Sequence, residues 1–284
     1  MLEYSCVTTD RLRCFSLKLS KGARVGVLGQ RDSGKEDAIN VALGLKKAVS
    51  GDVLLDGQSV LSLSEVEMNE VRWARISAVF YDPYATFNPI YDVASHFAEI
   101  VVSHGLGDYH VAVELAKEFL RILGGKEELL YKYPSDLTPL EAKKVSIAMA
   151  SFLEPDYILL DDIEYKLNDN GRASILNALI NLMGTISSGF LILDNDPAVL
   201  SRLSNYFLVV YRGEVVEEGE EVVFQPYHPY TMDLLSGNLG ERNLDGKGCR
   251  YSENCKFSSF KCKEREPKFT SVGKSNVKCF MYPW

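Results

Sequence analysis

Apolar and polar positions along the chain follow two periods. Phe15, Leu17 and Leu19 recur at every second residue before a turn at Lys21-Gly22, and ARVGVLG continues as an apolar run ending in glycine. Alternation predicts a half-buried strand, and the unbroken run a fully buried one. The polar stretch QRDSGK then leads into AINVALGLKK, where Ile39, Ala42 and Leu43 fall at helical spacing, so the order is strand, glycine loop, helix. DVLLDG reads as another strand, residues 62–75 as an amphipathic helix, and RISAVF as a strand running into DPYATFNPI. The prolines and asparagine of that last segment call for an ordered loop.

Residues from about 93 to 131 carry a helical pattern with breaks near Gly105 and Gly124, which predicts a helical insertion. A helix from 139 to about 152, the strand YILLDD, a helix near 172–183, the strand FLILDN and the strand pair FLVVYRGEVVEEG follow. Strands alternating with helices imply an α/β fold with a mainly parallel sheet covered on both faces.

The 284 residues, 46% of them hydrophobic, suffice for one large domain and an appendage. No apolar run approaches the roughly 20 residues of a membrane helix, and MLEYSCVTTDRLR lacks the apolar stretch of a signal peptide, so a cytoplasmic protein is expected. The net charge of −8 argues against a general nucleic-acid binder. The charge is uneven, however: residues 247–284 hold nine Lys or Arg against three Glu, and four of the six cysteines. Cys6 and Cys14, in strand-like surroundings, read as small core residues.

Gly29-Gln30-Arg31-Asp32-Ser33-Gly34-Lys35-Glu36 fits the phosphate loop G-x-x-x-x-G-K-S/T at every fixed position but the last. Backbone amides of such a loop cradle phosphates, and Lys35 supplies a point charge. The final position normally offers a hydroxyl to Mg²⁺. Here it is Glu36 with Asp37 beside it, so two carboxylates are expected to face a polyanion.

With this loop in place, SGDVLLDGQSVLSLSEVEMNEVRWARISAVFYDPYATFNPIYDV, YPSDLTPLEAKKVSIAMASFLEPDYILLDD and HPYTMDLL resemble, in order, segments of the ATP-binding subunits of oligopeptide/dipeptide ABC importers. The resemblance implies a RecA-like P-loop core with an antiparallel β-subdomain over residues 1–225, and a helical subdomain at about 90–150. Residues 226–284 then form a subfamily-type C-terminal extension. It also implies a head-to-tail dimer sandwiching two ATP molecules, two transmembrane permease subunits, a solute-binding protein beyond them, and a place on the cytoplasmic face of the membrane. Residues 81–90 would touch the permease, with Tyr84, Phe87 and Tyr91 supplying apolar contact.

Against that pattern several positions depart. Tyr81 stands where the family has its Q-loop glutamine, and Asn195 where it has the switch histidine. Asp161 keeps the Walker B carboxylate, but the glutamate that follows it in the family is the shorter Asp162. The signature, ordinarily L-S-G-G followed by Gln or Met, reads Leu137-Thr138-Pro139-Leu140-Glu141. Two glycines are lost, yet Thr138, Pro139 and Glu141 form a good helix-capping box. No adenine-stacking aromatic is evident around residues 7–10. Water positioning, base assistance and preorganised charge each contribute roughly 10² to 10⁴ in rate, so losing several leaves little turnover. The expectation is a subunit that holds ATP with little or no hydrolysis, Mg²⁺ being in doubt, beside a competent second ATPase subunit. A fully active transport ATPase and a soluble ABC protein outside transport are the rivals.

Cys249, Cys255, Cys262 and Cys279 are spaced C-x5-C-x6-C-x16-C, unlike the short pairs of most zinc sites. Four thiolates suit a [4Fe–4S] cluster or Zn²⁺, with free thiols or disulfides the remaining reading, and the importer resemblance implies the cluster in some members of that family.

Overall fold

The computed structural model describes residues 1–239 and 248–282. Lys247 and the last two residues of the basic tail lie outside the described residues. Strand β1 (Leu2–Thr8) pairs antiparallel with β2 (Phe15–Leu19), whose alternate side chains Phe15, Leu17 and Leu19 are buried. The buried strand β3 (Arg24–Leu28) leads through the glycine loop into the short helix α1 (Asp37–Ala42). β4 (Ser50–Leu55) and β5 (Gln58–Ser59) complete a four-stranded antiparallel sheet in the order β2-β1-β4-β5.

Helix α2 (Glu65–Val71) is shorter than the predicted 62–75. A capping box at Ser64 and Glu67 starts it, and Trp73, in the left-handed region at φ 66°, breaks any continuation before β6 (Ile76–Val79). The predicted insertion resolves into α3 (Val93–Ser103) and α4 (Tyr109–Ile122), followed by short 3₁₀ turns and α5 (Pro139–Ser151). Thr138 caps α5 as expected, its hydroxyl accepting from the Glu141 amide while the Glu141 carboxylate accepts from the Thr138 amide.

The second sheet holds β7 (Tyr157–Asp161), β8 (Gly189–Asp194), β9 (Tyr206–Tyr211) and β10 (Glu214–Gly219), interleaved with α6 (Asp169–Thr185) and α7 (Pro197–Leu203). After α8 (Pro229–Ser236) and α9 (Phe260–Glu264), the unpredicted strands β11 (Phe269–Val272) and β12 (Ser275–Lys278) join its edge. Its order is β11-β12-β10-β9-β3-β8-β7-β6, with β9, β3, β8, β7 and β6 parallel. The strands β7 and β8 are buried on both faces, as their unbroken apolar runs require. Because β3, β7 and β8 are parallel, their carboxyl ends meet at one edge of the sheet, where the glycine loop, Asp161 and Asn195 emerge.

Two expectations fail at the packing level. Cys6 and Cys14 are exposed rather than core, and they form a disulfide across the β1–β2 hairpin at a bulge between Tyr4 and Val7. Phe87 is buried against the His96 ring instead of projecting outward, while Tyr84 and Tyr91 remain exposed. The Tyr84 hydroxyl donates to the Leu137 carbonyl at 2.7 Å, tying this loop to the start of the signature segment.

Candidate functional site

A cleft of about 490 Å³ opens at the carboxyl edge of the parallel strands. It is lined by Lys35 and Glu36 from the loop, Tyr81, Asp161, Asp162 and Asn195 from strand ends, and by Arg11, Arg31 and Tyr165. The fold thus brings together most positions singled out in the sequence. The signature residues 137–141 lie outside this lining, Leu137 buried and Thr138 and Pro139 exposed at the head of α5.

The loop is fixed from behind. Gly34, at φ 93°, lies so close to the Arg11 carbonyl that a Cβ would come within 2.5 Å of it, and only glycine tolerates both constraints. The Ser33 carbonyl accepts the Gly213 amide at 2.6 Å, and the Ser33 hydroxyl, buried, has no partner within the protein. The loop ahead of α1, with the Lys35 ammonium in the cleft, is the kind of backbone turn that accepts a phosphate.

Charges in the cleft are already paired. The buried Lys35 ammonium donates to the Gln30 carbonyl at 3.1 Å and to Glu36 at 3.3 Å. Glu36 also takes Arg11 at 3.1 Å, so it is held between two cations. Asp37 does not face the cleft, contrary to expectation. It is buried behind the loop, accepting the Thr9 hydroxyl at 2.5 Å and the Lys46 ammonium at 2.7 Å. Successive helical side chains diverge by about 100°, so Asp37 turns to Thr9 and Lys46 while Glu36 stays at the cleft.

The Asp161 carboxyl is pushed up to about 6, first by burial and then by the nearby Glu36 charge. Asp162 takes a left-handed φ of 40°, and its carboxylate lies 3.7 Å from Arg31. The Arg31 guanidinium also sits over the Tyr165 ring, which meets Tyr81 edge-on at 5.2 Å. Tyr81 therefore packs in an aromatic and cationic corner where an amide was expected. At the end of β8, Asp194 is fully buried, and burial pushes its carboxyl up to about 7.

Below the cleft lies Lys143, a residue the sequence analysis missed. Its buried ammonium donates to the carbonyls of Tyr81 at 2.6 Å, Asp162 at 3.2 Å and Phe80 at 3.3 Å, and burial brings it down to about 8. It joins the Tyr81 loop to the end of β7. The available signal was a lysine inside KKVSIAMA, a helix whose apolar positions lie on every side.

The four tail cysteines line one cavity of about 250 Å³ together with His228 and Tyr251. Burial pushes the thiols of Cys249, Cys255 and Cys279 up, and their mutual repulsion as thiolates adds to it. Among the described residues no group of three or more His, Cys, Asp or Glu is placed to hold a metal ion. The cysteines are gathered, therefore, without converging on a single metal. Among the same residues no helix is long and apolar enough to cross a membrane.

The chain is 27% identical over 290 residues to the probable peptide ABC transporter ATP-binding protein y4tR of Sinorhizobium fredii, spanning 93% of this chain and 87% of that protein. It is likewise 27% identical to the oligopeptide transport ATP-binding protein AppF of Bacillus subtilis, over 94% of this chain and 88% of AppF. The dimeric structure of MJ0796, a bacterial ABC transporter cassette, is similar with a TM-score of 0.70 and 22% identity, covering 78% of this chain and 98% of the cassette. The sequence profile of the ABC transporter family matches residues 12–164, more than half of the residues, and it takes in the phosphate loop, the Tyr81 loop, the signature segment and Asp161. The chain belongs to the ABC transporter family, as one of its ATP-binding cassettes.

Proposed function

We propose that this chain is the ATP-binding subunit of a membrane importer for peptides or similar solutes, that its own site turns ATP over weakly or not at all, and that it works beside a second, competent ATPase subunit. The similarity to peptide-transport ATP-binding proteins over nearly the whole chain supports the transport role. One observation carries the impairment: the cleft around Lys35 presents Glu36, Tyr81, Asp162 and Asn195 where the family resemblance calls for a hydroxyl, a glutamine, a glutamate and a histidine. Asp162 is short by one methylene and paired with Arg31, and a base must stand within about 3 Å of the water it activates.

ATP would be held by residues 29–35, with its phosphates against Lys35. Mg²⁺ would fall to Asp161 and Glu36, whose mutual repulsion a cation relieves and which supply carboxylates of the kind it prefers. The ion would offset phosphate charge; the residues themselves offer no well-placed base. Binding without turnover still favours closure of a cassette pair, because a ligand shared across the interface stabilises the closed state. Two permease subunits, reached through the exposed Tyr84 and Tyr91, would receive that closure on the cytoplasmic face of the membrane. In the tail, a [4Fe–4S] cluster, with Zn²⁺ as the alternative, would fall to the four cysteines that line one cavity. Iron in anaerobically purified protein is the expected result, and stoichiometric zinc or no metal overturns it.

The deciding experiment is steady-state hydrolysis by the assembled importer carrying Lys35→Ala here, or a Glu→Gln change at the partner's Walker B base. Most activity should survive the first and vanish with the second. The opposite result would make this subunit the engine and refute the proposal.

A further inference from the structure

The HPYTMDLL segment and the tail have no part in the chemistry described above, yet both end at the phosphate loop. His228 is fully buried, caps α8 by accepting the Tyr230 amide at 3.0 Å, and is kept neutral by its burial. Buried Glu217 of β10 accepts the amides of Tyr227 at 2.7 Å and His228 at 3.0 Å. These bonds aim Tyr230, two residues on, into the core, where its phenol reaches Gln30, the second residue of the loop. The hydroxyl donates to the Gln30 side-chain oxygen at 3.5 Å. The carbonyl of that same Gln30 holds the Lys35 ammonium.

Tyr230 is itself braced. Its ring packs 4.4 Å from Tyr211 at the end of β9 and 5.4 Å from Tyr251 of the tail, and the Tyr251 hydroxyl donates to Asp233 of α8 at 2.5 Å. Beside Tyr251, Arg250 donates to the Arg212 carbonyl at 3.0 Å. The following residue, Gly213, donates to the Ser33 carbonyl. Two routes therefore run from the tail to the loop, one through Tyr230 to Gln30 and one through Arg250 and the β9–β10 turn to Ser33.

We infer that the HPYTMDLL segment and the cysteine-bearing tail are structural parts of the nucleotide site, with Tyr230 as the positioning residue that seats Gln30 and Arg250 as the residue that seats the turn behind Ser33. The inference rests on the nucleotide reading of the cleft and adds to it the reason this appendage accompanies the cassette. A loop that must present several amides to phosphate gains affinity from being held in that shape beforehand.

The test uses the full chain as wild type, Tyr230→Phe and Arg250→Gln. Tyr230→Phe keeps the aromatic packing and removes only the hydroxyl. Hydrogen exchange of residues 29–35 is followed without nucleotide, and binding of a fluorescent ATP analogue is titrated. Faster exchange confined to residues 29–35, with β7 and β8 unchanged, is expected for both variants. A loss of affinity of about threefold to tenfold, the equivalent of one hydrogen bond, should accompany it. Unchanged exchange in both variants overturns the inference, as does unchanged affinity in variants whose loop exchange is faster. If the wild type binds no nucleotide, the reading of the cleft falls, and loop exchange alone still decides whether the tail seats the loop.

Discussion

Asp194 offers a quantitative test of the electrostatics beneath the cleft. One carboxylate oxygen accepts the amides of Asn195 at 2.7 Å and Asp196 at 2.9 Å, and the other is buried without a partner. Burial, only partly offset by those two amides, raises the carboxyl from 3.8 to about 7. Between these values the folded chain holds a proton that the unfolded chain has released, so stability falls as pH rises through the window. A shift of about 3 pK units corresponds to roughly 4 kcal/mol, of which about 2 to 3 develops between pH 5 and pH 8. Asp194→Asn keeps an oxygen for the two amides and cannot ionise, but it leaves an unpartnered amide N–H costing about 1 to 3 kcal/mol. The variant should therefore gain about 2 to 3 kcal/mol relative to wild type on going from pH 5 to pH 8. Asp161 has the same sign, but it is present in both proteins and cancels. Urea unfolding of both proteins at the two pH values measures the difference. If the gap between them is the same at both, Asp194 does not carry the proton and the argument fails.

Thr138→Ala removes the cap of α5 and should cost about 1 kcal/mol by urea unfolding, although the signature it belongs to is degenerate. Gly213→Ala should cost more than about 2 kcal/mol and slow or prevent folding, because φ is 81° and the added Cβ would overlap the Arg11 carbonyl; wild-type stability would refute this. The disulfide between Cys6 and Cys14 predicts that four of the six cysteines label with a thiol reagent in unfolded, unreduced protein and all six after reduction. Six labelled cysteines without reductant would show the pair to be thiols.

Much of this protein was determined locally and could be read in order. Alternation in FSLKL, the unbroken runs of β3, β7 and β8, and the capping box at Thr138 depend on neighbours within a few residues, and each appeared where its pattern placed it. The phosphate loop belongs with these, since glycine and lysine at fixed spacing are a local requirement of the turn. Contacts between distant segments were not legible. Nothing in the residue order shows that Asp37 turns to Lys46 while Glu36 turns to Arg11, because that choice comes from packing α1 against β1 and the hairpin. Lys143 acquires its role only when α5 is laid under the ends of β6 and β7, 62 residues from the Tyr81 carbonyl it holds. Cys6 of β1 and Cys14, just ahead of β2, became partners, not core, beside the bulge where the hairpin register shifts. The tail's strands and its reach to Gln30 were equally hidden, since a short basic segment has too little apolar pattern to announce a fold that the rest of the sheet supplies.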